Sequence, residues 1–232
     1  MKAVILAGGK GRRLHPYTTS FPKPLMPVGE KPILELVIEQ IRDAGIHDII
    51  ITTGHLEDLI RVFFQDGSKF GVSITYSRED APLGTAGPFN LIRDQLQDTF
   101  LVMNGDILSD IDLPAMLLQH REEGNIATVG LTNRRAHIDF GVVEVDQNHR
   151  FMKWIEKPDI DYLVSTGIYF FQPEALNAMP REGFFNLPDL ILSLHEKGYP
   201  VGGYIHDGYW LDIGRPDDYE QACADIERIE GK

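Results

Sequence analysis

Apolar and polar positions follow two rhythms along the first half of this chain, and their succession predicts a parallel sheet flanked by helices on both faces. Ala3 to Leu6 is an unbroken apolar run, and Ile33, Leu34, Val37, Ile38 and Ile41 then recur at helical spacing. Ile49 to Thr52 reads as a second strand and Val72 to Tyr76 as a third, with a helix marked by Leu59, Ile60, Phe63 and Phe64 between them. A helix over about Ala86 to Leu96 is expected to precede Phe100 to Met103, a strand apolar enough for the centre of the sheet that ends at Asn104-Gly105-Asp106. A helix near Leu113 to Glu122 closes this half.

Beyond it the texture changes to shorter β-runs: Ala127 to Leu131, Gly141 to Val145, Phe151 to Glu156 and Val164 to Phe171. Asp146-Gln147-Asn148-His149 is turn chemistry, so the second and third of these runs are expected to form a hairpin. Leu187 to His195 and Asp217 to Ile229 read as closing helices. No repeat, low-complexity tract or linker interrupts the chain. The expectation is one α/β domain over residues 1–232, a Rossmann-like, mostly parallel mixed sheet flanked by helices with a small β-rich extension, in halves of residues 1–125 and 126–232.

Composition narrows this picture little. The chain has 232 residues, 43% hydrophobic and 25% charged, enough to bury a substantial core, and no apolar run long enough for a membrane span. Met1-Lys2 leads into a short strand ended by glycines, so no secretory leader is expected. The single cysteine, Cys223, excludes an internal disulfide, fits a reducing cytoplasm, and is expected to face the core.

Charge is more telling. The net charge of −13 argues against nucleic-acid binding. Residues 1–31 nevertheless hold Lys2, Lys10, Arg12, Arg13, Lys23 and Lys31 against Glu30 alone, so this stretch is +5 and the remainder −18. A cationic site on an acidic body suits a small phosphorylated ligand.

The same stretch runs from the first strand into Gly8-Gly9-Lys10-Gly11-Arg12-Arg13-Leu14. Gly8, Gly9 and Gly11 leave backbone N–H groups free to close on phosphate oxygens, while Arg12, Arg13 and Lys23 supply charge. A Walker loop is excluded because Gly9-Lys10 is followed by Gly11 rather than Ser or Thr. A dinucleotide fingerprint fails at Leu14, where a third glycine is needed, and at Thr52-Thr53-Gly54, where an acidic residue should hold the ribose. A kinase loop lacks its His-Arg-Asp and Asp-Phe-Gly partners. A plain glycine turn would have no use for so many cations.

Asp106 ends an apolar strand after Gly105, and Asp212 stands before glycine in Tyr209-Trp210-Leu211-Asp212-Ile213-Gly214. Alone, Asp106 reads equally as a helix cap or a Mg²⁺ ligand; a second strand-end aspartate favours the metal, since a hard cation takes oxygen ligands from separate elements. Asp110, Asp112, Asp217 and Asp218 read as caps or solvated charges. Pro82-Leu83-Gly84-Thr85-Ala86-Gly87 is a second glycine-rich turn on which a flat base could lie, or a helix cap. Glu156-Lys157-Pro158 offers an acceptor for sugar hydroxyls and a cation for phosphate, or an edge-strand charge pair.

Taken together, these segments, with Pro22-Lys23-Pro24-Leu25 and Phe140-Gly141-Val142, resemble the sugar-phosphate nucleotidylyltransferases nearly end to end. The turn Ala81 to Pro88 is most similar to that of mannose-1-phosphate guanylyltransferases. The resemblance implies a GT-A-like fold with a nucleotide-binding first half and a sugar-phosphate-binding second half. It implies transfer from a nucleoside triphosphate to a sugar 1-phosphate, releasing pyrophosphate, with GTP and mannose 1-phosphate or a related hexose or heptose 1-phosphate leading and dTTP-, UTP- or CTP-dependent enzymes or a silent homologue the alternatives. Arg13, Lys23 and Asp106 would be catalytic, and Asp106 with Asp212 would hold Mg²⁺. Leu6, Ala7, Gly8, Gly9, Gly11, Arg12, Arg13, Gly84, Thr85, Gly87, Asn104 and Gly105 would meet the nucleotide, and Gly141, Glu156, Lys157, Thr166 and Gly167 the sugar phosphate. His15 is read as a loop residue, because an ionised attacking phosphate needs no base. Longer members of the family carry a C-terminal β-helix, so the expectation here is a minimal catalytic domain, monomeric or homodimeric.

Overall fold

A computed structural model of the chain describes every residue except Lys10, Ser20, His55, Gly231 and Lys232; the side chains of Arg12 and of residues 227–230 are also outside the description. The first half runs β1 (Lys2–Leu6), β2 (Pro27–Val28), β3 (Lys31–Pro32), α1 (Ile33–Asp43), β4 (Asp48–Thr53), α2 (Glu57–Phe64), β5 (Ser73–Arg78), α3 (Phe89–Ile92), β6 (Phe100–Asn104), β7 (Ile107–Ser109) and α4 (Leu113–Glu122). The second continues with β8 (Ala127–His137), β9 (Val142–Val145), β10 (Phe151–Ile155), β11 (Asp159–Phe171), α5 (Leu187–Glu196), β12 (Val201–His206), β13 (Trp210–Asp212) and α6 (Pro216–Glu230).

One seven-stranded sheet unites both halves in the order β12-β8-β11-β6-β1-β4-β5. Only β11 runs against its neighbours; the pairs β1–β4, β1–β6, β4–β5 and β8–β12 are parallel. The alternation of the strands sorts their side chains onto two faces. Ala3, Ile5, Ile49, Ile51, Leu101 and Met103 pack against Leu34, Val37, Ile38 and Ile41 of α1, Ile60 and Phe64 of α2 and Met116 of α4. Val4, Ile50, Phe100 and Val102 face the other way, against Phe89 and Ile92 of α3 and Leu187, Leu190 and Leu194 of α5. A third apolar cluster lies apart from these: Leu14, Met26, Val28, Ile33, Leu108, Leu211, Ile213, Ala222 and Ile226.

Three expectations need correction. The helix expected over Ala86–Leu96 is only Phe89–Ile92, continued by a 3₁₀ turn at Arg93–Gln95; the residues before Pro88 are bonded to Phe185 instead. β8 and β11 extend as far as His137 and back to Asp159, well past their apolar stretches. Cross-strand charge replaces apolar pairing there: Arg135 Nε donates to Asp161 Oδ1 at 2.8 Å, and His137 Nδ1 lies 2.8 Å from Asp159 Oδ1. Cys223 is exposed rather than core-facing, because α6 turns the adjacent Ala222 toward the third cluster. The hairpin forms as expected, with β9 and β10 antiparallel.

Behind the sheet, His120 is wholly buried. Thr99 Oγ1 donates to Gln172 Oε1 at 3.0 Å, which orients that amide so that its Nε2 donates to His120 Nε2 at 3.1 Å. His120 Nδ1 then carries the proton and donates to Thr128 Oγ1 at 2.9 Å. Burial holds the pKa of His120 below its ordinary value, with Arg121 adding to the effect. The unfolded chain therefore binds the extra proton first, and stability should decline as pH falls below about 6.5. Denaturant melts between pH 7.5 and 5 should show this slope, and His120→Gln should flatten it.

Candidate active site

The carboxyl ends of β1, β4, β5 and β6 open onto a cleft of about 790 Å³. Leu6, Ala7, Gly8, Gly9 and Gly11 line it from the first loop, Asn104, Gly105 and Asp106 from the end of β6, and Gly84 and Thr85 from the second glycine-rich turn. Backbone bonds fix the walls: Ala7 N–H donates to Thr52 O, and Gly105 N–H to Leu6 O, both at 2.9 Å. Gly11 has a left-handed φ of +59°, and its carbonyl accepts from Leu14 N–H at 2.9 Å and Thr18 Oγ1 at 2.8 Å. Leu14 then sinks into the third apolar cluster, while the neighbouring Arg13 is exposed to the cleft. The residue that breaks a dinucleotide fingerprint is thus the loop's apolar anchor.

Four charged groups converge at this end. Lys23 sits in a 3₁₀ turn with only 9% of its surface exposed, and its Nζ donates to Asp106 Oδ2. Asp212 opposes Ile107 in the β7–β13 ladder, and Ile213 N–H donates to Asp106 O at 3.1 Å, stitching the two acidic segments together. Burial, and then the charge of Asp106, push the Asp212 carboxyl above its ordinary pKa, while Lys23 and Arg13 pull it down. The Arg13 guanidinium lies against Gly214, where an added Cβ would stand 3.0 Å from Nη1. Among the described residues, no group of three or more His, Cys, Asp or Glu side chains is placed to hold a metal. Two carboxylates from separate elements remain, a donor set that suits a hard cation completing its shell with phosphate and water oxygens.

The opposite wall is the turn from Glu79 to Gly87. Ala86 and Gly87 N–H both donate to Phe185 O at 2.9 Å, Phe185 N–H returns a bond to Leu83 O at 2.8 Å, and Leu187 N–H donates to Thr85 Oγ1 at 2.7 Å. Gly84 has a φ of +82°, and a Cβ there would come within 2.5 Å of Phe185 O. Gly87 is buried and does not line the cleft; its role is the close approach of this turn to Leu83 and Gly183.

Other expected residues lie elsewhere. The Arg12 side chain falls outside the described residues. None of Gly141, Glu156, Lys157, Thr166 and Gly167 lines the cleft. Thr166 is fully buried, and its hydroxyl donates to Gly130 O at 3.0 Å, so it serves the sheet. Gly167, at φ +77°, abuts the Asn104 side chain beside the cleft. Gly141 packs under Trp154, whose Nε1 donates to Glu156 Oε2 at 2.8 Å, and Lys157 is exposed at a left-handed bend of φ +43°. His15 is exposed, its Nδ1 3.2 Å from Thr19 Oγ1. Asp112 caps α4 by accepting from Ala115 N–H at 2.9 Å, and Asp218 accepts from Arg215 N–H at 2.8 Å.

Sequence reading missed Glu79, which lines the cleft one residue after β5. The reading ended that strand at Tyr76. Carried to Arg78, the same strand-end argument that singled out Gly8 and Asp106 would have reached it.

Comparison with known proteins agrees with this architecture. The chain is 37% identical to a UTP–glucose-1-phosphate uridylyltransferase from Synechocystis, over 97% of its own length and 63% of the relative's. It is 34% identical to a mannose-1-phosphate guanylyltransferase from Mycobacterium tuberculosis, over 97% of its own length and 64% of the relative's. The chain therefore spans a little under two thirds of these curated relatives. A Bacillus anthracis structure assigned as a glucose-1-phosphate thymidylyltransferase superposes with a TM-score of 0.79 at 30% identity, covering 97% of this chain and 94% of that one. The nucleotidyl transferase family model matches residues 2–229, and the chain belongs to that family.

Proposed function

We propose that this protein transfers a nucleotidyl group from a nucleoside triphosphate to a sugar 1-phosphate, releasing pyrophosphate, with GTP and mannose 1-phosphate as the leading pair. The meeting of Arg13, Lys23, Asp106 and Asp212 at one end of the cleft carries this reading. The sugar phosphate's oxygen attacks the α-phosphorus, and negative charge builds on the equatorial and leaving oxygens. Arg13 meets that charge, and Lys23, whose ammonium has donors beyond the one given to Asp106, lowers the repulsion between the two anions. Asp106 and Asp212 would hold Mg²⁺, which supplies Lewis-acid neutralisation of the phosphate oxygens. The attacking phosphate is already ionised, so neither a covalent nucleophile nor a general base is required.

Register supports a second substrate arriving from the β11 side. Ile168 pairs with Met103, so the part of β11 before it runs past the carboxyl end of β6 and rises with β8 as an arm beside the cleft. Gly167, against Asn104, stands at its root. Glu156 and Lys157, in the bend leading into the arm, are the proposed groups for sugar hydroxyls and phosphate. A grid of five nucleoside triphosphates against hexose and heptose 1-phosphates, with pyrophosphate as the readout, tests the reading. Release should require triphosphate, sugar phosphate and Mg²⁺ together; no release from any pair would refute it.

A further inference from the structure

Asp110 follows β7 directly, and its bonds go to the chain segment that carries Asp212. Asp110 N–H donates to Tyr209 O at 3.1 Å, and Asp110 Oδ1 accepts from Tyr209 N–H at 2.6 Å. A regular antiparallel pair would return that second bond to the Asp110 carbonyl. The side chain stands in for it, so the β7–β13 ladder is closed one residue beyond the Trp210–Ser109 pair. His206, at the end of β12 and nearly buried, completes the clamp. Its Nε2 lies 3.1 Å from both Asp110 Oδ1 and Tyr209 O; both are acceptors, so Nε2 carries the proton. Gly208 lies under this pair: a Cβ there would collide with Asp110 Oδ1 and stand 3.0 Å from His206 Nε2. Asp110 is therefore neither a helix cap nor an idle surface charge.

The other end of the same ladder sets the two acids of the cleft. Asp212 opposes Ile107, and Ile213 N–H bonds to Asp106 O. From Tyr209 to Asp212 is about 10 Å of extended chain, too short for a strand secured at Tyr209 to wander at Asp212. Between them, Trp210 Nε1 donates to Thr166 O at 2.8 Å, and the Arg134 guanidinium lies 4.9 Å from the centre of the indole. Those contacts tie β13 to the arm and leave its register on β7 to the ladder itself. A two-stranded pair this short is marginal without support at its ends.

We propose that Asp110 is a positioning residue for nucleotidyl transfer: by clamping Tyr209 it holds β13 in register on β7, and so keeps the Asp212 carboxylate beside Asp106 for a divalent cation. This rests on the reading above in which those two acids hold Mg²⁺. Asp110 does not line the cleft, and it acts through the bonds that it accepts rather than through its charge.

Asp110→Ala removes both side-chain bonds, whereas Asp110→Asn keeps an Oδ1 that accepts from Tyr209 N–H and His206 Nε2–H. The alanine variant should need ~10-fold more Mg²⁺ for half-maximal turnover, the lower end of the range for removing a partner that supports a metal ligand. The asparagine variant should match the wild type. In an Asp212→Asn background, Asp110→Ala should cost little more, because the carboxylate that it positions is already gone. Losses that multiply, or an asparagine variant as impaired as the alanine one, would overturn the proposal. Hydrogen exchange reads the clamp without metal or turnover. Protection of the 209–213 amides should fall at least ~10-fold in Asp110→Ala, as for one lost hydrogen bond to a charged group, while β1 and β6 keep theirs. Unchanged exchange there refutes the clamp whether or not any substrate pair releases pyrophosphate. Should none do so, Mn²⁺ titration followed by electron paramagnetic resonance decides the link to the acids. Weaker binding by Asp110→Ala than by the wild type upholds it, and equal binding, or none by either protein, removes it.

Discussion

Asp106→Asn should lower the rate of pyrophosphate release by ~100- to 1,000-fold, the loss expected when a group stabilising transition-state charge is removed. The substitution preserves shape but removes the charge that Asp106 shares with Lys23 and Asp212. Lys23 would then be a nearly buried ammonium without its anionic partner, so some stability should also be lost. The two effects separate experimentally. Turnover is measured at saturating substrates and at a temperature well below the melting point of both proteins, and circular dichroism verifies the fold. Mn²⁺ binding in the presence of nucleotide, followed by water proton relaxation, should weaken in parallel. Full turnover in the variant would remove Asp106 from the mechanism.

Gly87→Ala should be strongly destabilising in the turn behind the cleft wall. The new methyl group would collide with the Leu83 carbonyl oxygen, stand 2.9 Å from Leu83 Cβ and 3.0 Å from Gly183 O, and force apart the bonds that tie this turn to Phe185. Two of the three obstacles are backbone, so relief requires the chain to move. A loss of about 2–3 kcal/mol is expected, the range for overpacking in a tight site, lowering the melting temperature by roughly 5–10 °C. Nucleotide affinity should fall with it, since Leu83 also anchors Glu79. Gly9→Ala is the natural control: among the described residues nothing lies within 4 Å of a Cβ there, so its melting temperature should match the wild type. Equal melting points for all three proteins would show that the turn is not under this constraint.

The central strands β1, β4 and β6 were legible in the sequence because they are buried on both faces and so are nearly continuous apolar runs; β12, a partly exposed strand at the edge of the sheet, was not read. The charged end of the cleft was legible for a different reason: Gly8, Gly11, Arg13, Lys23, Asp106 and Asp212 are residue types that a neutral turn would not gather. The arm was foreshortened because Thr132 to His137 and Asp159 to Leu163 are held by backbone pairing and exposed charge, which leave no apolar alternation to read. Glu79 escaped for a related reason. Only the course of β5 and the turn back through Leu83 turn an ordinary-looking acidic residue into part of a wall. Thr166 shows the converse: the resemblance places it at the sugar phosphate, while its hydroxyl is given to a carbonyl of β8.

Asp212 reaches Asp106 only through β13, which joins no strand of the large sheet and meets β7 over just Trp210–Ser109, Leu211–Leu108 and Asp212–Ile107. This patch, with the bond from Ile213 N–H to Asp106 O, sets the two acids side by side. The first half of the chain therefore cannot be exchanged as a cassette between relatives. A chimera that takes the residues around Asp106 from one parent and those around Asp212 from another must match both sides of this patch before its chemistry can work.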